Sequence, residues 1–411
     1  MSNLRYSRGL GASALAALAL TSGAASAATT DYIDLEAGAG YSTNPFLSIP
    51  SRAAGFGRIS ANGVHSWSSE RGTTSLTGYI ENTTYFRKYG SRQIFDLGAH
   101  TRQALNPTVT VFGNLDFSGD FAGQLSNRLI TVPSQPPVIE PGSPLPPPSN
   151  TPDVFNFSGR QYRLSGDLGA SIRSGARGTV SLSAGAQRSW FPGNRDADYN
   201  SYFGSAGYSQ QISERTSAGA SLSFTRQDFT HGDWANIINP ALTVNTQLSE
   251  SVNASAAVGL LAIEDKTDDH KDHRVTPSVS ASICQTSTLS RLCAHVSRDA
   301  QSALSARVVN GGGGASITTS AGIDYYRRLS EAETIQAALS ASRYESSNSI
   351  NNNNRLRTTY ISGVVGYDRK IRNRLYAGVQ GGVRKLFQVG PDPKLDLNAN
   401  VYLRYRLGDL L

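Results

Sequence analysis

The stretch from Leu395 to Leu407 alternates apolar and polar residues almost without interruption. A β-strand with this pattern presents one apolar face and one polar face. Comparable stretches of about ten residues recur along the chain, whereas strands of soluble sandwiches are usually nearer five or six residues. Strands of about 9–11 residues are the length that crosses a membrane. The alternation therefore predicts membrane-spanning strands.

The same period of two appears in the N-terminal, central and C-terminal parts of the chain, and helical periodicity is nearly absent. Strands in lipid satisfy their backbone polar groups only when the sheet closes on itself. We therefore predict an all-β fold, a transmembrane antiparallel up-and-down β-barrel. A soluble sandwich or a β-solenoid is the alternative. The other alternating stretches begin at Ile33, Tyr162, Val275 and Leu375.

Short polar turns alternate with longer loops between these strands, as in outer-membrane barrels. Eight turns and nine loops together predict about eighteen strands, with sixteen as the alternative. The predicted turns are Ser68–Thr73, Leu105–Thr108, Arg173–Gly178, Ser213–Thr216, Leu248–Ser251, Gln285–Arg291, Leu329–Glu333 and Lys370–Asn373. The predicted loops are 42–55, 84–92, 120–160, 191–199, 229–239, 265–272, 300–314, 345–355 and 388–394.

The first 27 residues have the organisation of a secretory signal peptide. Arg5 and Arg8 precede the apolar stretch Leu10–Leu20, and Ala25–Ala27 offers small residues for cleavage. We therefore expect residues 28–411 to form one barrel domain in the outer membrane of a Gram-negative cell. The expected partners are outer-membrane lipid and the outer-membrane assembly machinery.

Composition and motifs exclude several functions. A net charge of +7 with 17% charged residues is too small and too dispersed for a nucleic-acid surface. No second apolar run is long enough for a transmembrane helix. No G-x-S-x-G elbow occurs, so we predict that the protein is not an enzyme. The acidic and histidine-rich segment 268–273 favours a solvated loop over a metal site, and no cofactor is expected.

Arginine recurs on the polar parity of the predicted strands, among Ser, Thr, Gly, Asn and Gln. One interpretation is a hydrated pore whose lining mildly favours anions. The other is that Arg–Asp ladders brace a wide barrel from inside, and both can hold together. The candidate residues along the lumen are Arg163, Arg173, Arg384, Arg404, Arg406, Asp167, Asp396 and Tyr402.

Cys284 and Cys293 are the only cysteines in the chain. Cys284 ends one predicted strand and Cys293 opens the next, both on the polar parity. In an oxidising periplasm we expect them to form a structural disulfide across the hairpin.

Nine of the 17 prolines lie in the predicted loop 120–160. Such a run favours extended polyproline II structure and cannot join a sheet. The loop either folds into the pore as a constriction or lies on the cell surface. A second notable loop carries Tyr85, Phe86 and Tyr89, for which a membrane-interface aromatic girdle is favoured over sugar stacking.

The segment Ala37–Phe46, AGAGYSTNPF, resembles the opening strand and loop of outer-membrane β-barrels of the "porin 2" type. Members of that group are often associated with exopolysaccharide secretion. The resemblance implies a channel for an extracellular polysaccharide, working with a periplasmic polysaccharide-export protein. One departure is the C-terminus, since many porins end in Phe and this chain ends in Leu411.

The sequence thus predicts an outer-membrane channel that exports a hydrophilic polymer, an acidic exopolysaccharide in the first place, through a polar lumen. The runner-up is a general or small-solute porin. A surface scaffold or adhesin with a closed lumen is a further alternative.

Overall fold

A computed structural model describes residues 28–47, 49–87, 89–120, 160–192, 198–230, 232–267, 270–303, 314–346, 357–387 and 394–408. Within these ranges the chain forms eighteen β-strands. The first nine are β1 Ala28–Ser42, β2 Ala54–Ser69, β3 Gly72–Tyr85, β4 Gly90–Asn106, β5 Val109–Asp120, β6 Gln161–Ser174, β7 Gly178–Trp190, β8 Tyr199–Gln211 and β9 Thr216–Phe229. The others are β10 Trp234–Gln247, β11 Val252–Thr267, β12 His270–Thr286, β13 Ser290–Ala303, β14 Gly314–Arg328, β15 Glu333–Ser346, β16 Arg357–Arg372, β17 Leu375–Phe387 and β18 Asp396–Gly408.

Each strand pairs antiparallel with its neighbour in the chain. The first and last strands also pair, from Tyr32 opposite Gly408 to Ser42 opposite Asn398. This pairing closes the sheet into an eighteen-stranded up-and-down barrel and confirms the predicted fold. Within the described residues, no helix is long and apolar enough to cross a membrane.

The predicted turns and loops also lie where the alternation placed them. All eight short turns fall at one end of the barrel, here called the turn end, and the nine other connections lie at the opposite loop end. Two loops are shorter than predicted, because β10 already begins at Trp234 and β11 runs to Thr267. Residues 1–27 and 121–159 lie outside the described residues, so the signal peptide and the place of the Pro-rich loop stay predictions.

The strands are longer than the bilayer requires, with 12 residues in β5 and 17 in β4 and β12. A membrane needs about 9–11 residues per strand, so the sheet continues beyond the hydrocarbon region. This extension explains the two shortened loops.

The inner and outer faces separate cleanly along β18. Leu397 and Val401 are 52% and 60% exposed, whereas Asp396 and Asn400 are 0% and 6% exposed. Apolar side chains therefore point outward and polar side chains inward, the reverse of a soluble protein. A closed barrel with an apolar exterior has the architecture that spans a lipid bilayer.

An aromatic patch lies on the outer face near the loop end. Phe95 and Phe117 have ring centroids 4.9 Å apart, and Trp190 lies 6.1 Å from Phe117 and 5.8 Å from Tyr162. Aromatic rings of this kind occupy the boundary between hydrocarbon and headgroups. The patch marks one edge of the membrane-embedded band.

Two of the three residues predicted to form an aromatic girdle, Tyr85 and Tyr89, do not face the membrane, whereas the exposed Phe86 ring lies beside Gly57 of the outer face. Tyr85 is buried on the inner face, and its ring centroid lies 5.1 Å from that of Phe46. Tyr89 lies 4.6 Å from the same Phe46 ring. These rings hold the loop between β1 and β2 against the inside of the barrel, because the period of two points Tyr85 inward.

Candidate functional site in the barrel lumen

All eight predicted lumen residues lie on the inner face of the barrel. On β6, the alternating partners Leu164 and Leu168 are exposed on the outside, which turns the intervening polar residues inward. The eight residues are Arg163, Asp167 and Arg173 on β6, Arg384 on β17, and Asp396, Tyr402, Arg404 and Arg406 on β18. They fall into three groups with different surroundings.

The first group follows the inner face from β16 to β1. Arg406 donates from Nε and Nη2 to the two carboxylate oxygens of Asp34, each at 2.7 Å. Arg404 Nη2 lies 3.5 Å from Asp368 Oδ1, which also accepts a 2.8 Å hydrogen bond from the Tyr402 hydroxyl. These pairs join β18 to β1 and to β16. They match the predicted bracing ladder, and they neutralise the arginines that they contain.

The ladder continues onto β2 and β3 through residues that the sequence did not single out. Arg58 pairs with Glu36 and lies 3.9 Å from Glu81. Glu81 accepts a 2.5 Å hydrogen bond from the Tyr79 hydroxyl. The alternation of each strand points all four side chains inward, and this alternation is the signal by which the sequence could have identified them as lumen residues. Their partners come from neighbouring strands, and only the strand register brings them together.

The second group is a buried anchor at the loop end. Asp396 is fully buried and accepts hydrogen bonds from Arg384 Nε at 2.9 Å, Ser42 Oγ at 2.6 Å and the Asn44 amide at 2.9 Å. Arg384 Nη2 also donates to the Pro45 carbonyl at 3.1 Å. The pair therefore fastens the start of the β1–β2 loop to the inner face and is shielded from lumen solvent.

The third group stays accessible in the lumen. Arg163 and Arg173 are exposed, and among the described residues neither has a carboxylate within 4 Å. Asp167 is half-buried and accepts a 2.9 Å hydrogen bond from the Asn114 side chain. Of the predicted arginines, these two are the ones whose charge reaches lumen solvent.

Hydroxyl groups line the inner face on the other side of the barrel. Serines directly opposite each other on adjacent strands share hydrogen bonds, a stabilising cross-strand arrangement. The oxygen–oxygen distance is 2.7 Å in each of the pairs Ser183–Ser205, Ser255–Ser282, Ser297–Ser320 and Ser340–Ser362. We call this surface, formed by β7 to β16, the hydroxyl face.

The disulfide predicted between Cys284 and Cys293 is present. It joins β12 to β13 at the turn end, on the inner face. The two Cα atoms are 4.1 Å apart, the close spacing of a pair that exchanges no backbone hydrogen bonds. Along β12, residues of odd number must therefore direct their backbone groups toward β13. The amide of Thr286, an even position, accordingly donates to Ser251 near the start of β11.

The backbone pairing between β12 and β13 stops part-way along the barrel wall. Its last pair is Val279 with Arg298, although both described strands continue toward the loop end. The next hydrogen-bonded rung would join Pro277 to Ala300. Proline has no N–H to donate, so it ends a ladder on the side that its nitrogen faces. Pro277 therefore explains where the two strands part.

Beyond that point the ends of β13 and β14, residues 299–303 and 314–318, turn into the lumen. We call them the inner hairpin. Ala315 and Ile317 pack with Ile237 of β10 and Leu261 of β11, which lie on the inner face. Lower in the same strands this face of the hairpin points outward, as the exposed Ile323 shows. The full cluster is Ala235, Ile237, Leu261, Ile263, Ala315 and Ile317, with Ala300 packed against it.

Polar contacts hold the hairpin at the point of departure. Arg298 donates to Thr276 on the inner face of β12 at 3.3 Å and to Thr319 on β14 at 3.2 Å. The Ala300 amide, which has lost its partner on β12, donates to Asp299 Oδ1 at 2.7 Å. The inward position thus satisfies the Ala300 backbone donor, which has no rung once the two strands part.

The residues that the structure describes contain no candidate metal site. Among them, no group of three or more His, Cys, Asp or Glu side chains is placed to hold a metal ion. Asp268 and Asp269 of the predicted solvated loop lie outside the described residues.

Comparisons with solved structures find outer-membrane barrels. The ferric citrate transporter FecA matches with a TM-score of 0.45 and 10% identity over 87% of this chain, which spans 60% of that protein. OccK2 of Pseudomonas aeruginosa matches with a TM-score of 0.46 and 10% identity over 93% of this chain and 98% of its own. OpdL of the same organism has a TM-score of 0.43 and 11% identity, covering 92% and 98%. No protein-family model and no curated protein matches the sequence.

Proposed function

We propose that this barrel is a passive pore of the Gram-negative outer membrane for hydrophilic solutes. The observation that carries the proposal is the polar inner face, which runs around a closed barrel whose exterior is apolar. Eighteen strands enclose a lumen wide enough for water. The loop end faces the cell exterior and the turn end the periplasm, following the usual topology of such barrels.

Within this class, we propose a hydroxyl-rich polymer, an exopolysaccharide, as the transported substrate. The hydroxyl face offers donors and acceptors that can replace water around a sugar chain. Many weak sites of this kind allow a polymer to move without being trapped. The ion pairs of Arg384, Arg404 and Arg406 neutralise three of the five arginines predicted for the lumen, which reduces the advantage of an acidic polymer over a neutral one.

The inner hairpin narrows the lumen at the loop end. Its apolar contacts occupy the inner face of β10 and β11, leaving the remaining lumen between the hairpin and the charged ladder of β16 to β3. A solute moving through the barrel must pass this level. The hairpin is therefore a second candidate for a constriction, beside the Pro-rich loop 120–160, whose place stays a prediction.

The substrate proposal is tested by current block in planar bilayers. The refolded barrel is exposed to neutral maltooligosaccharides and to anionic oligoglucuronates of increasing length. A polymer channel predicts block that strengthens with chain length for both series, because each added sugar adds weak contacts. Rapid passage of mono- and disaccharides with no length-dependent block would instead favour the runner-up, a small-solute porin, which the accessible Arg163 and Arg173 also suit.

Partners follow from the same orientation. An exporter of this kind needs a periplasmic polysaccharide-export protein at its turn end, and membrane insertion needs the outer-membrane assembly machinery. A barrel that binds surface ligands but passes no current would be a scaffold or adhesin, and the proposal would then fail.

A further inference from the structure

Cationic side chains converge on one tryptophan on the outer face of the barrel, at the loop end. The Arg226 guanidinium carbon lies 5.5 Å from the ring centroid of Trp234, and Lys271 Nζ lies 5.7 Å from it. Lys266 is the register partner of both Trp234 and Lys271. Four adjacent strands, β9 to β12, therefore contribute to one basic–aromatic patch: Arg226, Trp234, Lys266 and Lys271.

The patch lies directly above the apolar band of the barrel. Further into the band, by two residues on β9 and by four on β10, β11 and β12, the register brings Phe224, Ile238, Ala262 and Val275 into neighbouring positions of the outer face. The large apolar side chains in this row are exposed, as expected of a lipid-facing surface. The patch therefore stands at the height of the lipid headgroups, where tryptophan is favoured.

The neighbouring charges only partly offset the cations. Asp228 accepts a 3.0 Å hydrogen bond from Arg226 Nε, and Glu264 lies on the same face two residues before Lys266. His273 is the register partner of Glu264. Lys266 and Lys271, adjacent across β11 and β12, thus repel each other beside Arg226. An anion between them relieves this repulsion.

The basic character is confined to part of the circumference. On β1 to β6 the outward residues at comparable height are uncharged. They are Tyr41, Gly57, Asn82, Gln93, Gly119 and Tyr162. Other strands carry outward cations singly: Arg188 on β7, Arg343 on β15, Arg357 on β16 and Lys385 on β17, with Glu345 lying 3.1 Å from Arg343 and 3.7 Å from Arg357. Among the described residues, the patch on β9 to β12 brings cations from three strands beside one tryptophan, which points to a defined site.

We propose that the patch binds the phosphate group of an outer-leaflet lipid. The Lys266 and Lys271 ammonium groups and the Arg226 guanidinium donate to the phosphate oxygens, as charge-assisted hydrogen bonds require. The Trp234 ring packs against the part of the headgroup that borders the acyl chains. The site depends on the barrel being in a membrane and is independent of what the lumen transports.

The test uses Trp234 as the reporter. The chain has three tryptophans, so Trp67→Phe and Trp190→Phe leave Trp234 as the sole emitter. This protein is refolded into phosphatidylcholine vesicles that contain increasing mole fractions of diphosphorylated lipid A or of its fully dephosphorylated form. We expect a saturable change in Trp234 emission with the diphosphorylated lipid and none with the dephosphorylated lipid.

A charge-matched pair of variants isolates the patch. Lys266→Gln with Lys271→Gln should raise the half-saturating mole fraction about 30-fold, since two cations near a charged surface are lost. Arg71→Gln with Arg177→Gln removes the same charge from exposed positions at the turn end and should leave the titration unchanged.

Three outcomes overturn the proposal. One is an emission change of equal size with the dephosphorylated lipid. Another is an equal weakening in both double variants. The third is saturation of the signal by inorganic phosphate on the detergent-solubilised protein, which would assign the site to free phosphate. Conductance is unaffected in every case, so failure here is distinct from failure of the pore.

Discussion

Pro277 of β12 stands opposite the place where Ala300 of β13 would form the next rung of their ladder, and the two strands part at that level. The Ala300 amide donates to Asp299 instead, and the Ala300 side chain packs against the apolar cluster inside the lumen. A single missing N–H thus accompanies the departure of a hairpin from the barrel wall.

Replacing Pro277 with valine should return this hairpin toward the wall. Valine supplies the missing donor and favours strand structure, so the β12–β13 ladder can continue past Val279. We expect the single-channel conductance to rise, because the inner hairpin leaves the lumen. Pro240→Val is the control, since Pro240 lies at a similar level of β10, which pairs with β9 and β11 and does not border β13. An unchanged conductance in Pro277→Val would separate this proline from the hairpin's position.

A substitution in the apolar cluster that holds the hairpin is an independent test of its position. Ile317→Asp places a carboxylate in the apolar cluster, which costs several kcal/mol if the charge stays buried. The hairpin should therefore leave its seat, and the conductance should become larger and noisier. Ile317→Val keeps the seat apolar and should behave as the wild type. Equal conductance in all three proteins would mean that the hairpin does not limit the current.

The fold was predictable because each strand's alternation is a local signal repeated many times. Every predicted turn is present, and the count of eighteen is confirmed. The contacts inside the lumen were less accessible to sequence analysis. Glu36, Arg58 and Glu81 come together only through the register of three strands, which no single strand specifies.

The inner hairpin shows a different limit. Pro277 occupies one of the outward, apolar positions of β12, so it does not stand out in the alternation. Whether it ends a ladder depends on which neighbouring strand its nitrogen faces. That direction follows from the pairing of Cys284 with Cys293, so the information was present but required the register. Tyr85 shows the same limit, because its position near a loop suits the membrane boundary whereas the period of two along β3 points it inward.

The seam between β1 and β18 should depend on one ion pair. Arg406→Ala leaves the buried Asp34 carboxylate without its partner, a loss of about 3–5 kcal/mol of folding free energy. The measurement is urea unfolding of the barrel in detergent micelles. Arg406→Gln combined with Asp34→Asn removes both charges and should recover most of the loss. Equal destabilisation by the single and double variants would contradict an ion-pair role.

Ion selectivity should depend on the two accessible arginines. Arg163→Gln with Arg173→Gln removes the predicted arginines that reach lumen solvent, so the preference for chloride over potassium should fall. Reversal potentials across a salt gradient measure this preference. The matched control is Arg343→Gln with Arg357→Gln, two outer-face arginines whose side chains are 46% and 53% exposed. A larger effect in the control would place the selectivity outside the lumen.

The most direct test of the pore itself is single-channel recording of the refolded wild-type barrel in planar bilayers. A hydrated lumen predicts discrete, stepwise ion currents that are linear in voltage and that nonelectrolyte polymers reduce according to size. A correctly folded, heat-modifiable barrel that inserts into the bilayer and passes no current would contradict the account.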